Sequence, residues 1–287
     1  MHRVLWSVLL GMLVVQSIIA QEEQKEPPSY GWQKELVGNL NFTQTSFSNW
    51  AQGGEDAWSW QLDVLGKFVN DQAKFNWANG VKFSFGQSKV GDAQSRKSAD
   101  ELRLESVLTY KLGIYINPYV AVTGETQVAK GFFFPDDPDL PRVEISRFMD
   151  PAYFTESLGL GYAPTGGIKT RLGIALKQTV ADRFAATFTD DPATEKIEKV
   201  RSEVGAESVT DVSRKLSRNI LFTSKLELFS TLESLKTVDV RWDNVFSAKV
   251  SKYIGVSFNV KLLYDRDISI RRQLKQVLAV GLTYAFL

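Results

Sequence analysis

The closing stretch of the chain, Arg272-Gln-Leu-Lys-Gln-Val-Leu-Ala-Val-Gly-Leu-Thr-Tyr-Ala-Phe-Leu287, carries a sharp two-residue alternation. Leu274, Leu278, Val280, Leu282, Tyr284 and Phe286 fall on one side of an extended strand, with only Gln276 interrupting the row. Gln273, Lys275, Ala279, Gly281 and Thr283 fall on the other. Successive residues of a strand face opposite ways, so this segment has one apolar wall and one small or polar wall. A half-buried strand of a soluble sandwich would show the same pattern. The choice between the two rests on the remaining strands.

The alternation recurs upstream. Ile254, Val256, Phe258, Val260, Leu262 and Tyr264 alternate with Gly255, Ser257, Asn259 and Lys261; Val238, Val240, Trp242, Phe246, Ala248 and Val250 alternate with Asp239, Arg241, Asp243 and Lys249. Segments 57–69, 73–86, 101–112 and 167–177 read the same way, and less regular strands fit 35–45, 118–129, 152–163, 198–210 and 218–231. This gives about twelve strands, an even number of the kind single-chain bacterial barrels require. Connections at 70–72, 113–118, 163–167, 211–217 and 251–252 are short. Those at 46–56, 87–100, 130–151 and 178–197 are long, the alternation expected when turns and loops face different compartments. Nearly every strand has an apolar face, and Trp58, Trp242, Tyr264 and Tyr284 sit near strand ends, as interfacial rings do.

The N-terminus supports export. His2 and Arg3 precede an apolar run from Val4 to Val15, and Ile18-Ile19-Ala20 suits cleavage before Gln21, so residues 1–20 read as a signal peptide. Residues 21–33 read as a polar periplasmic tail and 34–287 as the barrel. Loss of Arg3 lowers the basic count from 34 to 33, level with the 33 acidic residues, which argues against nucleic acid as a partner. The fold class expected is all-β: a transmembrane antiparallel up-and-down barrel with short periplasmic turns and longer extracellular loops, its apolar side on outer-membrane lipid.

On that reading the polar faces line a lumen. The inward basic residues would be Lys67, Lys74, Lys82, Arg103, Lys111, Lys169, Arg171, Lys177, Lys225, Arg241, Lys249, Lys261 and Lys275. The inward acids would be Asp63, Glu105, Glu125, Glu227, Asp239 and Asp243. Bases outnumber acids, so an open lumen should weakly prefer anions. These charges could equally pair across strands and fill the interior. A twelve-stranded barrel falls between packed eight-stranded and open sixteen-stranded ones, so strand number does not choose.

Several chemistries lack their residues. The single histidine, His2, lies in the export segment and there is no cysteine. Ser-His hydrolysis therefore has no imidazole base, and zinc and haem sites of the usual kinds have no ligands. No phosphate-binding or dinucleotide fingerprint follows a strand. No enzymatic activity and no cofactor are expected; Glu105, Glu125 and Asp243 would be the residues of a carboxylate-only enzyme. Asp136-Asp137-Pro138-Asp139 lacks the ligand spacing of a dedicated Ca²⁺ loop and reads as a solvated turn. The nearby Phe132-Phe133-Phe134 run should pack on the rim, fold inward or meet a partner.

Two resemblances follow. The terminal Gly281-Leu-Thr-Tyr-Ala-Phe-Leu resembles the C-terminal signal of bacterial outer-membrane barrels, which implies the barrel-assembly machinery as a partner of the last strand. Ser48-Asn-Trp-Ala-Gln-Gly-Gly54, Arg96-Lys-Ser-Ala-Asp-Glu-Leu-Arg-Leu104 and Gln127-Val-Ala-Lys-Gly-Phe132 resemble an uncharacterised family of outer-membrane proteins of Bacteroidota-type bacteria, a domain of unknown function. That resemblance implies a barrel in the outer membrane and supplies no reaction or substrate. Gly53 and Gly54 suit a sharp reversal that Asn49 and Trp50 would anchor by amide hydrogen bonds and ring packing. Alternatively, Asn49, Trp50, Gly53, Gly54, Lys97 and Asp100 form a ligand or partner site at the extracellular mouth. The function expected is a narrow channel or uptake barrel for small polar solutes with weak anion preference. The other reading is a non-conducting subunit of a larger assembly, docked through its extracellular loops.

Overall fold

The computed structural model describes residues 30–48, 51–113, 115–135, 137, 139–191, 194–232, 238–265 and 271–287. Residues 1–29, where the signal peptide and most of the tail are expected, lie outside these residues, as do Asn49, Trp50, Asp136 and Pro138.

Twelve antiparallel strands close into one barrel. They are β1 (Gly31–Thr45), β2 (Ala57–Asp71), β3 (Phe75–Val90), β4 (Arg96–Tyr110), β5 (Ile116–Thr126), β8 (Ala152–Thr165), β9 (Ile168–Val180), β10 (Val200–Lys215), β11 (Ile220–Thr231), β12 (Asp239–Lys249), β13 (Ile254–Tyr264) and β14 (Gln273–Ala285). β6 (Gly131–Phe133) and β7 (Val143–Ser146) form a separate hairpin in the connection between β5 and β8, and Ala185–Phe188 form one helical turn after β9. Each barrel strand pairs with its sequence neighbour, β5 with β8 across the hairpin, and β1 closes on β14.

The even positions of 272–287 point outward and the odd ones inward. Leu278 is 72% exposed, and Leu172 and Leu160 on β9 and β8 are 62% and 57% exposed on the same outer surface. An aqueous surface does not carry such a continuous apolar belt, whereas a lipid-facing one must. Rings cluster at one end of the belt: Trp32 packs on Trp77, Tyr115 on Tyr162 and Tyr284 on Phe286. Phe286 also covers the flank of Gly38 on β1, its ring 3.0 Å from where a Cβ would stand there. The C-terminal aromatic thus staples the closing strand to the first.

β1 begins at Gly31, three residues earlier than the boundary read from sequence. The second long connection, expected at 87–100, is mostly strand, since β3 runs to Val90 and β4 starts at Arg96. Gln87, Ser88, Lys89, Lys97 and Ser98 stand above the apolar belt, where both faces of a strand are wet and alternation disappears. The hairpin β6–β7 escaped for the same reason. It pins two of the three phenylalanines, with the Arg142 guanidinium 4.0 Å from the Phe132 ring and that of Arg96 4.5 Å from Phe134; Phe133 stays exposed.

Candidate functional site: a charge-bridged lumen

The interior is divided. The wall formed by β5, β8, β9 and β10 is packed: Tyr119 and Val209 are buried, as are Ala121, Ala175, Ser157 and Thr179. Gly159 and Gly173 face each other in register on β8 and β9 and leave room for the inward Tyr119 ring; a Cβ on Gly173 would stand 2.6 Å from its hydroxyl. The opposite wall, β1, β2 and β14, is loosely covered. Leu65 on β2 points inward, as its neighbours Asp63 and Lys67 do, yet remains 44% exposed.

Ion pairs cross the middle. Arg241 on β12 bonds Glu101 on β4 at 2.7 Å, and five strands separate these two walls either way round. The same guanidinium reaches Glu125 on β5 and lies 3.3 Å from Asp243. Arg103 on β4 pairs with Glu125 at 2.9 Å and with Glu227 on the far strand β11. Glu105 takes Arg171 from β9 at 2.7 Å and Lys225 from β11. Lys261 and Lys82 share one oxygen of Glu101, at 3.0 and 3.2 Å. Closer to the long-loop rim, Lys177 bridges Asp239 at 2.7 Å and Asp265 at 3.0 Å. Charges this far from bulk water demand partners, and multidentate arginine supplies them with fixed geometry.

Most of the lumen charges read from sequence therefore meet: Arg103, Glu105, Arg171, Lys225, Glu227, Arg241, Asp243 and Lys261 form one network, and Asp239 joins Lys177. Lys169 and Lys249 do not join it; with Lys67 they stand exposed near the short-turn rim, without a carboxylate in ion-pair reach among the described residues. Sequence reading missed Glu101, Glu203, Glu207 and Asp211. Glu101 abuts a segment read as loop. The other three lie on β10, whose outward Ser202, Ala206, Ser208 and Thr210 blur the apolar row that would have set its phase.

At the long-loop rim, Lys97 and Asp100 do come together, 2.7 Å apart. Lys97 also donates to Gln127 Oε1 at 2.8 Å and to the Ala129 carbonyl at 3.1 Å, while Asp100 accepts the amides of Val128 and Ala129 at 2.8 and 3.0 Å. All these groups serve each other, so the pair anchors the 127–131 loop. Gly53 and Gly54 have φ of 79° and 143°, and a Cβ on Gly54 would collide with the Phe47 ring, which explains both glycines as a tight reversal. Asn49 and Trp50 fall outside the described residues, so the mouth cluster is placed only in part.

A second anchor gave no sequence signal. The buried Asp150 carboxylate accepts the amides of Asp182, Arg183 and Phe184 at 3.0, 2.9 and 3.3 Å, tying the loop after β9 to the turn before β8. Asp150→Ala would leave three amides without an acceptor. Rapid protease cutting between 181 and 199, with the barrel itself still resistant, is the expected result. Intact loops after the same digestion would contradict the anchoring role.

Comparison with known proteins adds a match, over part of the chain, to a family without a function. Residues 42–132 match the family described as Protein of unknown function (DUF3078). The DUF3078 match runs from the end of β1 through β5 into β6 and contains Lys97, Asp100, Glu101, Arg103, Glu105 and Glu125. No curated protein matches the chain. Among solved structures, the translocator domain of autotransporter NalP from Neisseria meningitidis is similar at 8% identity and TM-score 0.41, covering 97% of this chain and 96% of its own. The NanC porin is similar at 11% identity and TM-score 0.39, covering 88% and 98%, and the KdgM porin at 11% and 0.32, covering 88% and 99%.

Proposed function

We propose that the protein is an outer-membrane barrel forming a narrow, self-gated passage for small polar solutes, with the short-turn rim in the periplasm and the long loops outside. The observation that carries this reading is the asymmetric interior. A charge lattice spans the lumen, yet the β1, β2 and β14 wall beside it is only loosely covered, with the inward Leu65 44% exposed. Small solutes would pass along that wall, and larger ones would have to displace the lattice. The bridged charges largely neutralise one another. Selectivity then falls to lysines outside the network, Lys275 on β14 and Lys67, Lys169 and Lys249 in the periplasmic vestibule, and these favour anions weakly.

Reversal potential in a salt gradient across a planar bilayer tests both parts. Small unitary currents with a slight anion preference are expected from the native chain. The triple variant Lys67→Gln, Lys169→Gln, Lys249→Gln should lose most of that preference while keeping its current. Correctly folded protein that passes no current removes the channel reading in favour of a non-conducting barrel docked through its loops.

A further inference from the structure

Closure of the barrel is incomplete. β1 pairs with β2 along its whole length, from Gly31 opposite Asp71 to Thr45 opposite Ala57. With β14 it pairs only from Val37 opposite Ala285 to Asn41 opposite Gly281. Residues 42–45 and 273–280 lie beyond that ladder, so the two strands part in their long-loop halves. Phe286 N donates to Leu36 O at 2.8 Å, which fixes the phase of the ladder. By alternation, the main-chain groups of Leu274, Gln276, Leu278 and Val280 face the gap.

A cleft of about 80 Å³ occupies the gap, lined by Asn41, Thr43, Ser59, Trp60, Gln61 and residues 277–280. Thr43, Gln61 and Val277 are lumen-facing positions; Trp60, Leu278 and Val280 are outward-facing ones. Residues of both faces can line one cavity only if it passes through the sheet. The cleft is therefore a slot in the wall, and it opens onto the loosely covered half of the lumen. An open sheet edge cannot stand against hydrocarbon, because its N–H and C=O groups have no partners there. Gln276, the single polar residue in the outward row of β14, lies at this edge.

On the inner side waits an uncommitted cation. Lys275 Nζ donates to the Ser98 carbonyl at 2.9 Å and has no carboxylate in ion-pair reach among the described residues. Its cross-strand neighbour is Lys261, which already shares Glu101 with Lys82 and Arg241. From outside to inside the slot thus runs from apolar to hydrogen-bonding groups. Lys275, two residues from the lining Val277 on the same lumen face of β14, stands next to it rather than in its lining.

We infer that this seam is a lateral binding portal for a single-chain amphiphile with an anionic head, of the fatty-acid type. Its tail lies against Trp60, Leu278 and Val280, and its carboxylate meets the open edge and Lys275.

The portal can be shut at will, because the chain has no cysteine. Continuing the register from Asn41 opposite Gly281 sets Thr43 opposite Ala279. A disulfide in the double variant Thr43→Cys, Ala279→Cys would close the slot, and its reduced form is the folding control. Equilibrium binding of radiolabelled laurate to the protein in lipid nanodiscs is the measurement. Saturable binding in the reduced form, lost on oxidation and regained with reductant, is expected. Lys275→Gln should weaken laurate binding roughly tenfold, the loss of one charge-assisted hydrogen bond, and leave dodecanol unaffected. Equal laurate binding in both redox states would overturn the portal. So would cross-linking of two copies through a lone Ala279→Cys, which would show the edge occupied by a neighbouring strand. Laurate binding without ion current would refute the channel reading alone.

Discussion

Replacing Arg241 with alanine is expected to raise the conductance of the barrel several-fold and to lower its stability by about 3–5 kcal/mol, the usual consequence of deleting one partner of a buried ion cluster. Among the described residues none has more ion-pair partners. Its guanidinium touches Glu101, Glu125 and Asp243 and lies 3.6 Å from Glu227, joining β12 to β4, β5 and β11. Without it, Glu101 keeps Lys82 and Lys261, and Glu227 keeps Arg103 and Lys225, but Glu125 retains only Arg103, and Asp243 loses the one ion pair it makes among the described residues. The surplus negative charge would draw water and cations into the gap. Besides opening wider, Arg241→Ala should therefore shift selectivity towards cations. Arg241→Lys separates the two effects, since it keeps the charge and cannot reach several carboxylates in one plane. It should recover selectivity better than stability. Single-channel current and urea unfolding in vesicles read the two quantities; an Arg241→Ala barrel with native current would mean that the lattice does not obstruct the passage.

The barrel was legible because a lipid-spanning strand must alternate. β2, β3, β9, β12, β13 and β14 each carry most of their large apolar residues on one face, and their phase predicts which charges face the lumen. Partner choice was not legible. Nothing local links Arg241 to Glu101, which are 140 positions apart; the twist and closure of the whole sheet bring them together. Legibility also fails where the lipid constraint lifts. Above the belt β3 and β4 continue as polar strands that look like loop, and β10, with serine and threonine on its outer face, hid Glu203, Glu207 and Asp211. The anchor made by Asp150 is invisible for a related reason: its partners are main-chain amides, which any sequence supplies. Gln276 shows the reverse case. It breaks the row at the place where the seam parts, so the flaw in the pattern marked a structural feature.

Two leucines of broadly similar exposure should respond in opposite ways to a positive charge. Leu172 on β9 lies in the outward row with Ile168, Ile174 and Leu176 and is 62% exposed; Leu65 on β2 is 44% exposed but faces the interior between Asp63 and Lys67. On the lipid side, arginine must be carried into hydrocarbon, at a cost of about 2–4 kcal/mol near the bilayer midplane and less towards its surfaces. On the lumen side it enters a hydrated space that already holds charge, with Asp63 two residues away on the same face. Leu172→Arg is thus expected to lower the urea midpoint of the protein folded in vesicles, while Leu65→Arg leaves it near the native value and narrows the passage instead. The same pair discriminates against a soluble sheet protein, in which an exposed Leu172 would face water and arginine there would be harmless or helpful. Native-like stability of Leu172→Arg in vesicles, or a chain that stays monomeric and folded without detergent, would show that the outer belt does not meet lipid. The lumen, the seam and the ion lattice would then need another explanation, since each takes its meaning from which side of the sheet is dry.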